Sequence, residues 1–209
     1  MDAYLATLKS FELVSDATLD VVTKSGQRVQ LGSVARYKVQ RPAGFQVDLT
    51  TDLKKRKFYY DGKNFTLYSP ELGFYATVPA PATNLAVVDM LYDDFGITLP
   101  LDDLFRWSDP NEARGEDFTS AFTVGPAIVD GVATDHYAFR EADHDWEVWI
   151  QKGDKPLPRK LAIVGRSDPA KPAFVARLSW TENPTIAATD FTFVPGADAR
   201  QIRLAILEQ

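Results

Sequence analysis

Two spacings of hydrophobic residues follow one another along the chain. From Asp2 to about Lys9, Tyr4, Leu5 and Leu8 recur at helical intervals, which predicts a short amphipathic helix. The period then drops to two. Phe11, Leu13, Ala17, Leu19 and Val21 alternate with Glu12, Asp16, Thr18 and Asp20. Val29, Leu31, Ala35, Tyr37 and Val39 then share one face opposite Arg28, Gln30, Arg36, Lys38 and Gln40. Such runs are long antiparallel strands with one wet side, joined by a turn at Ser25-Gly26. The pattern continues through Phe45-Leu49, Phe58-Tyr60, Phe65-Leu67 and Phe74-Val78, with Asp61-Gly62 as a strong hairpin signal.

Pro79-Ala80-Pro81 interrupts the sheet, and Thr83 or Asn84 can cap a helix running to about Phe95. Leu85, Val88, Leu91, Tyr92 and Phe95 fall on one side of it, and Gly96 ends it. A second helical piece carries Leu101, Leu104, Phe105 and Trp107. Strands resume at about 121–129, 132–140, 145–151, 159–166 and 174–182, with Asp130-Gly131 turning the first pair. Phe191-Thr192-Phe193 reads as a last short strand before Pro195-Gly196, and the tail beyond it has helical character. With no repeat and no linker, residues 1–209 read as one domain with a helical insert at about 83–107.

The fold class is therefore mainly β (α+β): a single curled antiparallel sheet of about eleven strands, forming a half-barrel with a helical lid. A wide sheet with one apolar face must be covered or curled on itself. The covering material is the insert and the N-terminal helix. A helix laid across a curled sheet either leaves an apolar cavity or plugs the half-barrel as ordinary core, and the pattern is equally consistent with both.

Composition narrows the chemistry. The 209 residues are 45% hydrophobic and 25% charged, with net charge -6 and no cysteine. Disulfides, thiolate catalysis and zinc–thiolate sites are thus excluded. Lys54-Lys55-Arg56-Lys57 is the densest basic run, too short for a nucleic-acid surface. No apolar run approaches the ~20 residues of a membrane span. The opening Met1-Asp2-Ala3-Tyr4 has neither a basic nor an apolar leader region, so the chain is either cytosolic or the trimmed form of an exported protein. Asp93-Asp94 and Asp102-Asp103 point ~100° apart on a helix and do not face one another as a catalytic pair. His136, placed by parity on the inward side opposite to Tyr137 and Phe139, and His144 lack metal-ligand spacing. No nucleophile-elbow, phosphate-loop or dinucleotide motif occurs. No catalytic residue, cofactor or metal is expected, and the chain is not expected to be an enzyme.

Several segments carry a resemblance. Gln40-Arg41-Pro42-Ala43-Gly44-Phe45, the hairpin Tyr60-Asp61-Gly62-Lys63-Asn64-Phe65-Thr66-Leu67-Tyr68-Ser69-Pro70 and the closing Phe191-Thr192-Phe193-Val194-Pro195 are similar, in order, to motifs of the bacterial lipoprotein-carrier superfamily. That superfamily includes the periplasmic lipoprotein chaperone and its outer-membrane receptor. The stretch from Trp149 to Lys160 resembles the hallmark of a related family of predicted periplasmic proteins without assigned function. Val47 stands where the carriers have tryptophan, and Gly196 where they have a second closing proline. The resemblance implies a periplasmic, monomeric carrier for lipid, acyl chains or lipidated cargo, with an envelope protein as a further partner and no nucleic acid. The alternatives are a periplasmic sensor or regulatory module on the same fold, and a structural domain without ligand.

The candidate groove is the aromatic wall Tyr37, Phe45, Phe58, Tyr60 and Phe65 facing the lid residues Leu85, Val88, Leu91 and Phe95. Arg41 falls on the inward parity near the rim. The resemblance implies that its guanidinium, which is not easily buried unpaired, holds the lid or an anionic headgroup.

Overall fold

The computed structural model describes residues 1–107 and 118–206. Helix α1 spans Asp2–Thr7. A meander follows: β1 (Ser10–Val22), β2 (Arg28–Gln40), β3 (Phe45–Thr51), β4 (Lys55–Tyr60), β5 (Asn64–Ser69) and β6 (Phe74–Pro79). Helices α2 (Asn84–Phe95) and α3 (Asp103–Arg106) form the insert. A second meander comprises β7 (Ser120–Val129), β8 (Val132–Arg140), β9 (His144–Gln151), β10 (Pro158–Gly165) and β11 (Ala173–Glu182).

Among the described residues all strands, with a short β12 (Arg200–Gln201) near the end of the chain, join one curled sheet in the order β12-β6-β5-β4-β3-β2-β1-β11-β10-β9-β8-β7. Each meander is sequential, and the step that unites them is the long-range antiparallel pairing of β1 with β11, Leu13 opposite Trp180 and Leu19 opposite Phe174. The turn glycines take the expected left-handed backbone: Gly62 has φ 90°, and the Asp130-Gly131 pair has φ 49° and 80°, as a two-residue hairpin requires.

The closing segment departs from the expected strand and helical tail. Ala188–Phe191 is a 3-10 turn, and Phe193 continues as a strap across the outer face of the sheet. There its ring packs on Tyr59, Tyr68 and Tyr75 at 5.4, 5.0 and 5.0 Å. The Phe191 ring packs on Gly44, where a Cβ would lie 3.1 Å from it. The tail then forms β12 (Arg200–Gln201), paired in parallel with β6. Beyond alternating apolar residues, a strand needs a free ladder. Here the neighbouring strands are already paired, and the phenylalanines anchor to rings and a turn instead.

The core lies between the inner face of the sheet and the helices. It includes Phe11, Leu13, Tyr37, Phe45, Phe58, Tyr60, Phe65, Val87, Val88, Leu91, Leu161 and Leu178. His136 is a correction to the parity reading. Tyr137 and Phe139 pack against this core, so His136 faces outward, stacked on Trp149 at 3.9 Å and hydrogen-bonded to Glu147.

Candidate functional site

The lid is helix α2. Thr83 caps it by accepting from the Ala86 amide, and Gly96 in the left-handed conformation ends it, returning its N–H to Tyr92. The buried residues are Asn84, Val87, Val88 and Leu91, spaced i, i+3, i+4, i+7. The face is therefore rotated from the expected one. Leu85 and Phe95 lie half-buried at its margins, and Tyr92 is 60% exposed.

Asn84 sets this rotation. It is only 4% exposed. Its side chain donates to the Gln40 carbonyl at 2.9 Å and accepts from the Gly44 N–H at 2.8 Å, while its own N–H reaches Pro42. The lid is thus hinged on the 41–44 turn. Further ties come from the wall: the Tyr60 hydroxyl donates to Pro81, and the Tyr37 hydroxyl to Pro100 beyond the lid. Burial pushes both phenols up from their ordinary pKa, so they remain donors at neutral pH. Burial, reinforced by neighbouring Asp103, also raises the carboxyl of Asp102. Arg106 pairs with Asp89 at 2.5 Å and binds α3 to the lid.

Arg41 reaches helix α1, donating to the Leu5 carbonyl at 2.6 Å with its guanidinium 5.6 Å from the Phe11 ring centre. Burial lowers its pKa, but guanidinium stays charged at any physiological pH. On the far side of α1, the Tyr4 hydroxyl donates to Glu182, which Lys155 also holds at 3.0 Å. One turn, 41–44, therefore joins both helices to the sheet.

The nine candidate groove residues are brought together, but against one another. Tyr37, Phe45, Phe58, Tyr60 and Phe65 are buried in one cluster with Val88 and Leu91, and Leu85 and Phe95 pack at its edge. In this closed arrangement the wall is core, and it would face a ligand only with α2 lifted.

The open part of the inner face lies elsewhere, and sequence reasoning did not single it out. Register aligns Phe139 with Trp146, Trp146 with Ile163, Ile163 with Phe174, Phe174 with Leu19, and Leu19 with Leu31. This apolar row crosses β8, β9, β10, β11, β1 and β2, about 24 Å at the usual strand spacing. Leu19 is 43% exposed, and Val21 and Val29 beyond it are 41% and 40% exposed. Large apolar side chains aligned and left wet mark an interaction surface. At the Trp146 end the row opens into a cleft of ≈ 370 Å³ between α3 and β9–β10, which also holds Trp107, Leu161, Glu141, His144 and Asp103. That volume is within the range of small-ligand sites. Among the described residues no cluster of histidine and carboxylates could hold a metal ion, and no helix is long and apolar enough to cross a membrane.

Structural comparison places the chain on a known architecture. An uncharacterised conserved protein of Thermus thermophilus superposes with a TM-score of 0.55 at 11% identity, over 97% of this chain and 94% of that one. The Mycobacterium tuberculosis lipoprotein LppX superposes with a TM-score of 0.52 at 13% identity, over 88% and 92%. The chain thus shares the fold of these two proteins. No curated protein matches in sequence. Residues 1–205 match the family described as predicted periplasmic protein (DUF2092); the chain belongs to this family and is periplasmic.

Proposed function

We propose that the protein is a non-catalytic periplasmic carrier that holds lipid, acyl chains or lipidated cargo in the apolar inner face of a single half-barrel domain. The observation that carries this reading is the row from Phe139 to Leu31, left half-open beside the lid. It continues into the buried wall beneath α2, so lifting the lid would extend one apolar surface. Burial of an alkyl chain is favourable by ~0.8 kcal/mol per methylene, so ten methylenes supply about 8 kcal/mol before the ordering cost of association is subtracted. Affinity of this kind needs no specific polar code. Release requires only that hydrogen-bonded joints such as Asn84 and Tyr37 open and close the lid.

Titration with a fluorescent fatty acid tests the reading, comparing the native protein with Ile163→Asp and Leu19→Asp. Both positions lie on the half-open row, so the fold should survive, as circular dichroism would verify. A charge set against the bound chain should weaken binding at least about tenfold. Unchanged affinity in both variants would remove the row from the function.

A further inference from the structure

We propose that the segment from Asn183 to Arg200 is a latch on the lid: Phe191, seated on the outer face of the sheet, holds the 41–44 turn in the shape that keeps α2 shut on the inner face. Release of this strap would open the lid from the opposite side of the sheet. The coupling is a property of the empty chain and does not depend on which cargo, if any, the inner face takes.

The strap is tied along its length. At its start the Asn183 N–H donates to the Ser10 carbonyl at 2.9 Å, the Asn183 side chain accepts from the Lys9 N–H at 3.2 Å, and the Ser10 hydroxyl donates to the Pro184 carbonyl at 2.8 Å. Further on, Asp190 pairs with Lys38 at 3.3 Å, and Phe193 rests on its three tyrosines. At the end the Arg200 N–H reaches the Gly73 carbonyl at 2.8 Å. Lys38 alternates with the core residues Tyr37 and Val39, and Tyr59 with Phe58 and Tyr60. The strap therefore crosses the sheet on the face turned away from α2.

Between these ties the Phe191 ring, 6% exposed, lies against Gly44. Gly44 has φ 126°, a backbone open to glycine, and a Cβ there would stand 3.1 and 3.2 Å from two carbons of the ring. The turn thus depends on the residue with the most conformational freedom, and the ring takes that freedom away from outside. Inward, the turn presents the Gly44 N–H, donated to Asn84 at 2.8 Å, and Asn84 is the first residue of α2. Strap, turn and lid form one line of contact from Phe191 through Gly44 to Asn84, with its ends on opposite faces. Without the ring, Gly44 regains conformations in which its N–H points away from Asn84, and these favour the open lid. Coupling of this kind needs an element with two arrangements that both sites bias, and the 41–44 turn supplies it.

Hydrogen exchange by mass spectrometry on the full chain, without ligand, tests the latch. Phe191→Ala should speed exchange of the α2 amides about tenfold while those of β9 and β10 stay within about twofold. Phe191→Leu, which keeps an apolar plug but no flat ring, covers a failure of the alanine variant to fold and should speed α2 about threefold. Transmission through the turn is read by combining the change with Asn84→Ala. Where the Asn84 bond is already absent, Phe191→Ala should alter α2 exchange by less than about threefold. Unaltered α2 exchange in the folded Phe191 variants would overturn the latch. Equal acceleration of α2, β9 and β10 would overturn it too, making the ring a general prop of the fold. So would a full tenfold effect in the Asn84→Ala background, since Phe191 would then not act through Gly44.

Discussion

Replacing Asn84 by alanine should loosen the lid without dismantling the sheet. Asn84 is buried, and its side chain satisfies the Gly44 N–H and the Gln40 carbonyl. Alanine would leave both groups without that partner, at about 1.5 kcal/mol each, or about 3 kcal/mol together. The backbone bond from residue 84 to Pro42 and the Thr83 cap would remain, so the helix itself persists. Because the lost bonds join α2 to the 41–44 turn, the penalty falls on the closed arrangement and should raise the open population about a hundredfold. Hydrogen exchange by mass spectrometry reads this directly. Amides of α2 should exchange about a hundredfold faster in Asn84→Ala, while β3, β4 and β5 lose much less protection. Leu161→Ala serves as the control, since a core cavity lowers protection everywhere. A fluorescent fatty acid should bind Asn84→Ala more tightly than the native protein, because less energy goes into opening. Uniform loss of protection in both variants would refute the reasoning: α2 would then be an inseparable part of the core and no lid.

The docking of α1 should depend on pH through Glu182. The hydrogen bond from Tyr4, followed by that from Lys155, holds this carboxyl below its ordinary value against the opposing effect of burial. A depressed carboxylate contributes stability that is complete above its unfolded value of about 4.3 and is lost as pH falls through the folded one. Protection of the α1 amides should therefore fall on acidification below about pH 4.3. In Tyr4→Phe the Glu182 resonance, followed by NMR, should titrate closer to the ordinary value; an unchanged titration would remove Tyr4 as the cause. Phe193→Ala should release the outer strap. Three ring contacts at ~0.5–1.5 kcal/mol each are lost, so limited proteolysis should cleave the tail near Arg200 well before the sheet, and equal resistance would contradict the anchoring.

Much of this architecture is legible in local pattern because a hairpin meander is local: alternation and Asp-Gly turns suffice to place β1 to β6 and β7 to β11. The lid was legible as a helix, yet its rotation was not. The position that fixes it, Asn84, is polar and counts against burial in any hydrophobic pattern. His136 was misplaced because alternation alone does not label which face is inner. The strap was mistaken for a strand because Phe-x-Phe has the same spacing whether or not a ladder is free to pair. The open row escaped notice for a related reason. Trp146, Ile163 and Phe174 become neighbours of Leu19 only through the pairing of β1 with β11, across some 150 residues of chain. Which part of the apolar face the lid leaves bare depends on that pairing and on the seat of α2, neither of which is local.

The most direct test of the carrier account is native mass spectrometry of the protein isolated from periplasm without detergent, followed by organic extraction and lipid analysis. The account predicts a bound lipid or acylated species that is retained by the native protein and lost from Ile163→Asp with the fold intact. A bare protein mass, with no uptake of offered phospholipid or lipopeptide, would contradict it.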